Sequence, residues 1–469
     1  MNQPISTVIH PVFNNRPSVP MAVETTERGV ALKLAAWFLL HLALGATMKL
    51  SSEIATVHAI VAAAVGLWFA VSGGRLERVF YAGAYIVTAE ALWRLAGAQI
   101  FWEFGKYALA AIFLVALVRN GLYRSSMLPL AFFMLLLPSC VIPMMYLDSS
   151  TFRAQISFNL SGPFALAVSV WFLSQVRLTS AQLYKGFFTL IGPALSVAGA
   201  AAFNVMSADV INFGRESNKL TSGGFGPNQV SATMGLALLF CLLYLATQYK
   251  EKKIKIVILV ALIWLGAQSA LTFSRTGLYS AGLSMLMAGL YLTRDRRARF
   301  QLIAASLIIF VVSYWVIFPA LDKFTGGAIV TRFQDTSSTG RLDILGTDIA
   351  LWGQNPIFGV GPGMATEKRE ELISRAIAAH TEFSRLVSEH GLFGFIALIL
   401  LFVMGWQHLR QARTPLHKAL VVALLCWTGI FMFTTAMRLA APAFIFGLTA
   451  VVWLPPTAPS ESQESEWRG

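Results

Sequence analysis

Charge is scarce in this chain. Asp, Glu, Lys and Arg make up 13% of its 469 residues, against the roughly 25% usual for a soluble domain. With 56% hydrophobic residues and a mean hydropathy of +0.64, an ordinary water-soluble globule is excluded. Cysteine is equally sparse. Cys140, Cys241 and Cys426 lie in apolar runs with no CxxC spacing and no adjacent histidine. That pattern argues against a disulfide framework or a thiolate metal site and leaves three small buried hydrophobes. The first 30 residues, with Pro11, Pro17 and Pro20, lack the apolar core and cleavage site of a signal peptide.

What the chain has in quantity is long apolar runs. A bilayer needs about 20 mainly apolar residues per helix. Candidate runs fall at 33–50, 54–72, 79–97, 105–119, 126–146, 160–175, 184–203, 227–247, 254–272, 276–293, 301–319, 391–407, 417–436 and 439–454. The predicted fold is therefore all-α, a polytopic transmembrane helix bundle of roughly 12–14 spans, with no internal repeat.

The formal net charge of +13 is read as topology, not as a nucleic-acid surface. Basic residues collect in alternate loops: Arg75 and Arg78; Arg119 and Arg124; Arg177 and Lys185; Lys250, Lys252, Lys253 and Lys255; Arg294, Arg296, Arg297 and Arg299; Arg410, Arg413 and Lys418. Only Glu77, Glu251 and Asp295 oppose them there. The positive-inside rule predicts that these loops, and both termini, are cytoplasmic. The expected organisation is a cytoplasmic tail (1–30), a transmembrane bundle of about eleven spans (31–319), a periplasmic catalytic loop (320–390), C-terminal spans (391–454) and a disordered cytoplasmic tail rich in Ser, Glu and Pro (455–469). A connection as long as 320–390 is usually functional or disordered, and its helical periodicity predicts that it is folded.

Arginine outside the membrane works against this topology, yet Arg153, Arg215, Arg275, Arg341 and Arg438 all fall there. Arg275 sits in "TFSRTG", a very short turn between two apolar runs. A guanidinium fork matches phosphate oxygens bidentately, so several at one interface would suit a lipid diphosphate. The alternative is that each snorkels to headgroups or caps a helix end. Glu90 and Arg94, at i and i+4, are expected to form an intrahelical pair.

In the long loop, Leu342, Leu345, Ile349 and Trp352 recur at helical spacing. Pro356 should end that helix, and Gly359, Gly361 and Gly363 follow as an anion nest or, more simply, a turn allowing close backbone approach. A second helix is predicted over 365–390 up to Gly391, with Ile373, Ala376, Ile377, Phe383 and Val387 on one face and His380 in their midst. A lone histidine on an apolar face is commonly a satisfied core residue. Beside these arginines, its ordinary pKa of about 6.5 also suits general-base work. His390 reads as a helix-end residue.

The stretches "SRTG" (274–277), "TGRLDILGTDIALWGQNPIFGVGPG" (339–363) and "HTEFSRLVSEHGLFG" (380–394) resemble the O-antigen ligase and O-antigen polymerase superfamily of membrane glycosyltransferases. Where that family commonly has His-Asn, this chain has His380-Thr381. "GGFGPNQVSA", which contains Asn228, and "FNLSGP" look similar to the polysaccharide-polymerising branch. The resemblance implies a GT-C-like bundle in the bacterial inner membrane and an inverting transferase that needs no metal or other cofactor. Its donor would be a glycan on undecaprenyl diphosphate and its acceptor a glycan or lipid A core sugar, with membrane lipids as further partners and no nucleic acid. Arg215, Arg275 and Arg341 would bind the diphosphate, His380 would be the catalytic base, and Arg153, Asn228 and Arg438 would be further substrate contacts. Polymerase is favoured over ligase. The rival classes are a lipid-linked oligosaccharide transporter or flippase, which should show inverted repeats and midplane charges, and a non-catalytic scaffold.

Overall fold

A computed structural model describes residues 27–121, 126–214, 216–248, 251–294, 296–335, 341–373 and 381–454. In lipid every backbone donor must be satisfied within its own segment, and the chain answers almost wholly with helices. In order they are α1 (Glu27–Leu50), α2 (Ser52–Ser72), α3 (Leu76–Leu95), α4 (Phe104–Asn120), α5 (Leu128–Met134), α6 (Val141–Tyr146), α7 (Ser149–Leu173), α8 (Ser180–Met206), α9 (Pro227–Thr247) and α10 (Lys252–Leu271). Then come α11 (Thr276–Leu292), α12 (Arg296–Val312), α13 (Phe318–Thr325), α14 (Ala328–Gln334), α15 (Arg341–Gln354), α16 (Ala365–Ile373), α17 (Glu382–Gln411), α18 (Pro415–Thr435) and α19 (Ala441–Leu448).

Among the described residues, 10 helices are long and apolar enough to cross a membrane. The chain is a multi-pass, all-α membrane protein. The other expected spans fall short for readable reasons. α3 carries Glu77, Arg78, Glu90 and Arg94, and α4 and α11 have 17 residues each, about 26 Å at 1.5 Å per residue. The apolar run 439–454 is helical only over the 8 residues of α19. After it the chain turns and extends, so that β2 (Val452–Trp453) pairs in parallel with β1 (Arg177–Leu178), Arg177 opposite Val452 and Leu178 opposite Trp453.

Local chemistry sets the helix starts. Ser51 caps α2 by accepting the Ile54 amide at 3.3 Å. Thr179 and Gln182 form a reciprocal capping box on α8. Asp148 caps α7, and the Ser150 and Thr151 donors it accepts hold its carboxyl far below the usual carboxylate range. α9 is central, with 94% of its most apolar stretch buried, whereas none of Ala298–Thr325 is.

Small residues bring helices close where there is no hydrophobic difference between lipid and side chain to drive them together. On α1, a Cβ at Gly45 would meet the Ser196 backbone of α8. Gly45→Val is therefore expected to cost about 1–3 kcal/mol through overpacking. It should lower the thermal midpoint in detergent and leave any catalytic parameter of the folded fraction unchanged; an unaltered midpoint would show that α1 and α8 separate readily.

The long loop is folded and sits at one end of the bundle. α12 passes through a π-helical stretch, Ser313–Ile317, into α13, and Gly326 and Gly327 turn the chain into α14 with φ of 59° and 85°. α15 and α16 then pack on α17. The helix predicted over 365–390 is not continuous. α16 ends at Ile373, and Thr381 is extended (φ −117°, ψ 131°) before α17 begins at Glu382. A helix does end at Gly391, as expected, where the backbone is non-helical. α17 runs on to Gln411 as two pieces joined there at φ 58°, ψ −134°.

Candidate active site

Two groups of charged side chains lie at the end of the bundle that carries the long loop. The first is built on the 272–277 turn between α10 and α11. Its backbone is held from α9: the Ser231 hydroxyl donates to the Ser274 carbonyl at 2.9 Å and accepts the Gly277 amide at 3.0 Å, and the Ser274 hydroxyl donates to Asn228 Oδ1 at 2.7 Å. Phe273 adopts a left-handed φ of 58°, uncommon for a side chain of this size. Arg332 of α14 stabilises that conformation, donating from Nε to the Phe273 carbonyl at 2.9 Å.

Arg275, the residue before α11, thus emerges from a fixed turn. Its Nη1 donates to the Asp335 carbonyl, and Arg332 pairs with the Asp335 carboxylate at 3.6 Å. Burial and the neighbouring Arg275 charge both push the Arg332 guanidinium below its ordinary value, while Asp335 and Glu216 oppose them. Arg275 and Arg332 lie close enough to act on each other, with the Asp335 and Glu216 carboxylates nearby, and guanidiniums so placed can bind anion oxygens. Next to it, α14 presents Ile329 and Phe333 to a crevice of about 280 Å³, lined also by Ala270, Leu278, Ile317 and Leu321 and apolar apart from Ser313.

The second group surrounds Arg385, which is buried on the first turns of α17. Nε and Nη2 donate to Glu382 at 3.0 and 2.5 Å, and Nη1 donates to Glu389 at 2.7 Å. Asn159 of α7 accepts from Nη1 at 3.3 Å through its side chain and from Nη2 at 3.2 Å through its carbonyl. The whole donor fork is occupied. Glu382 also accepts the Met437 amide at 3.0 Å, tying α17 to the α18–α19 connection. Arg438 follows, its guanidinium 5.8 Å over the Phe158 ring; burial and the Arg385 charge hold it below the ordinary arginine value. These side chains border a cavity of about 510 Å³. Deeper lie the buried Lys106 and the Glu90–Arg94 pair, at 2.6 Å as its i, i+4 spacing predicts, with Glu90 also accepting the Ala440 amide at 2.6 Å.

The glycine turn joins the loop to this group. Gly359, Gly361 and Gly363 all have positive φ, and a Cβ at Gly359 would strike the Glu389 backbone. In that space the Val360 amide donates to the Ser388 carbonyl at 2.9 Å and the Gly361 amide to the Glu389 carbonyl at 3.0 Å. Close backbone approach is thus what these glycines provide. Asp348 of α15 receives Arg369 at 2.6 Å and the Ser384 hydroxyl at 2.5 Å, clamping α15, α16 and α17 together.

The residues singled out from sequence divide accordingly. Asn228 lies against the Arg275 turn, Arg438 lies in the Arg385 group, and neither group includes the other's arginines among its described contacts. Arg153 is exposed on α7 and donates to its own helix at Ser149, 3.1 Å away. Arg215 and His380, and the side chain of Arg341, lie outside the described residues. His390 is more than a helix end: it is buried, with Nδ1 bonded to the Ser139 hydroxyl. Arg332, Glu382, Arg385 and Glu389 were not singled out. The E-x-x-R-x-x-x-E spacing at 382–389 was the available signal, since i−3 and i+4 place both carboxylates beside one guanidinium. Among the described residues no three His, Cys, Asp or Glu side chains gather in a way that could hold a metal ion.

Comparison with known proteins now bears on this geometry. No curated protein matches the chain. The family described as O-antigen ligase matches residues 260–399, a segment that holds Arg275, Arg332 and the Glu382–Arg385–Glu389 group. Over that segment, which is less than half of its length, this membrane protein is similar to O-antigen ligases.

Proposed function

We propose that the chain is a membrane glycosyltransferase that moves a glycan from undecaprenyl diphosphate to a sugar hydroxyl at the periplasmic face of the inner membrane, with inversion, in polysaccharide biosynthesis. The observation that carries this reading is the Arg275–Arg332 pair, set in a rigid turn within the segment matching O-antigen ligases. The basic loops favour an arrangement with both termini cytoplasmic and residues 320–390 outside. The apolar crevice beside α14 suits the isoprenoid tail of such a donor, while the two guanidiniums face its diphosphate. Arg215 and Arg341, which the resemblance assigns to the same diphosphate, are proposed to add to its binding.

In the reaction the acceptor hydroxyl oxygen bonds to the anomeric carbon and the bond from that carbon to the diphosphate oxygen breaks. His380 takes the acceptor proton, and the arginines stabilise the charge that develops on the leaving group. This charge arrangement involves no metal. Polymerase, in which the acceptor is another lipid-linked repeat unit, is favoured over ligase, in which it is a lipid A core sugar.

Reconstitution with an undecaprenyl-diphosphate-linked glycan and both acceptor types tests the proposal. A ladder of lengthening lipid-linked glycan supports polymerase, and transfer to lipid A core supports ligase. His380→Ala is expected to slow either reaction by about 10²–10⁴-fold with the protein still folded. No transfer by the unaltered protein to either acceptor would overturn the assignment.

A further inference from the structure

The cavity of about 510 Å³ beside Arg385 is lined by neither Arg275 nor Arg332. Its volume lies within the roughly 300–1,000 Å³ of small-molecule sites, and its wall combines two aromatic rings, Phe158 under Arg438 and a more open plate, with an excess of acceptors. The plate is Trp102. Arg94 fixes it, lying 4.4 Å from the ring centroid and donating to the Trp102 carbonyl at 2.9 Å, while Glu90 anchors Arg94 at 2.6 Å. The ring is nonetheless 48% exposed. A half-open indole whose guanidinium partner is buried is a preorganised stacking surface.

The acceptors are carboxylates and amides. Glu103, Glu367, Glu382 and Glu389 line the cavity against the cations Arg385 and Arg438, and the Arg385 fork is fully engaged by Glu382, Glu389 and Asn159. A diphosphate placed here would meet a wall with more negative than positive groups. A polyhydroxyl ligand would donate to the carboxylates and lay its C–H face on the indole.

We infer that this cavity is a saccharide site, and, resting on the transferase reading above, that it takes the acceptor sugar. His380 precedes the cavity-lining Glu382 by two positions, so the acceptor site and the expected base are close in the sequence. The arrangement separates the two substrates by charge: the anionic leaving group beside Arg275 and Arg332, the hydroxyl-bearing partner beside Trp102.

The test uses the full chain in lipid nanodiscs, titrated calorimetrically with a panel of neutral di- and trisaccharides of glucose, galactose, mannose and N-acetylhexosamines. Gln155 lines the same cavity. At least one member should bind, with affinity weakened at least tenfold by Trp102→Ala and by Gln155→Ala, retained by Trp102→Phe and unchanged by Arg275→Ala. Inorganic pyrophosphate should not compete. Absence of binding by every member, undiminished binding in both alanine variants, or displacement by pyrophosphate would overturn the inference. Saccharide binding that depends on Trp102 in a protein that transfers no glycan would sink the transferase reading and leave this site standing.

Discussion

Arg275→Ala is expected to lower kcat for glycan transfer by about 10²–10³-fold, the usual cost of removing one preorganised group that stabilises developing charge. Two features make the loss large. The Arg275 turn is locked by Ser231 and Asn228 of α9, so its head group needs no reorganisation when charge forms on the leaving diphosphate. Its neighbour Arg332 is committed to the Phe273 carbonyl through Nε and cannot swing over to replace it. Arg275→Lys keeps the charge but not the planar fork and should recover only part of the rate. The backbone-directed hydrogen bond to Asp335 lost in Arg275→Ala is worth about 0.5–1.5 kcal/mol, or somewhat more since its donor is charged, so the fold should lose some stability but persist. Single-turnover rates on the reconstituted protein, with thermal midpoints measured alongside, separate the two effects. A variant that keeps more than a tenth of the rate would remove Arg275 from the diphosphate site.

Arg385→Ala should act on the fold. Deleting the guanidinium leaves Glu382 and Glu389 buried without the cation that bonds them directly, and the amide oxygen and carbonyl of Asn159 without their donor. Breaking a buried pair from one side costs about 3–5 kcal/mol, a large share of the roughly 5–15 kcal/mol of a typical domain. The variant is expected to express poorly or to unfold at a markedly lower temperature. The combined change Arg385→Met, Glu382→Gln, Glu389→Gln removes all three charges together and should recover much of the loss, since a neutral, well-packed replacement lacks the desolvation cost. If Arg385→Ala is as stable as the unaltered protein, the group is more hydrated than its burial implies.

Much of this architecture was legible in the sequence because it rests on apolar run length alone. α8, α9 and α10 lie where unbroken apolar stretches predict them. Glu90 and Arg94 pair as their spacing requires. What escaped was set by tertiary contacts. Hydropathy treats 439–454 as one span, yet Val452 and Trp453 leave the helix to pair with Arg177 and Leu178, a partner that local pattern cannot reveal. The break at Thr381 was hidden because the apolar stripe through Ile373 and Phe383 keeps helical period on both sides of it. Arg385 was passed over because a charge on a helix normally reads as solvated, and only the arrival of Asn159 from α7 and Met437 from the α18–α19 connection makes its surroundings dry. Trp102 likewise acquires a role only once Arg94 covers one face.

Several of the polar anchors join residues made far apart in time. Glu90 waits for the Ala440 amide across 350 positions, Ser139 for His390 across 251 and Asn159 for Arg385 across 226. During synthesis the early helices must enter the bilayer before these partners exist, with hydrogen-bonding groups that only a local neighbour, water or the insertion machinery can satisfy in the meantime. Insertion and final closure are therefore separate events for this chain. A ribosome that stalls before α17 would leave an inserted but unclosed protein, with its polar groups marking it for proteolysis.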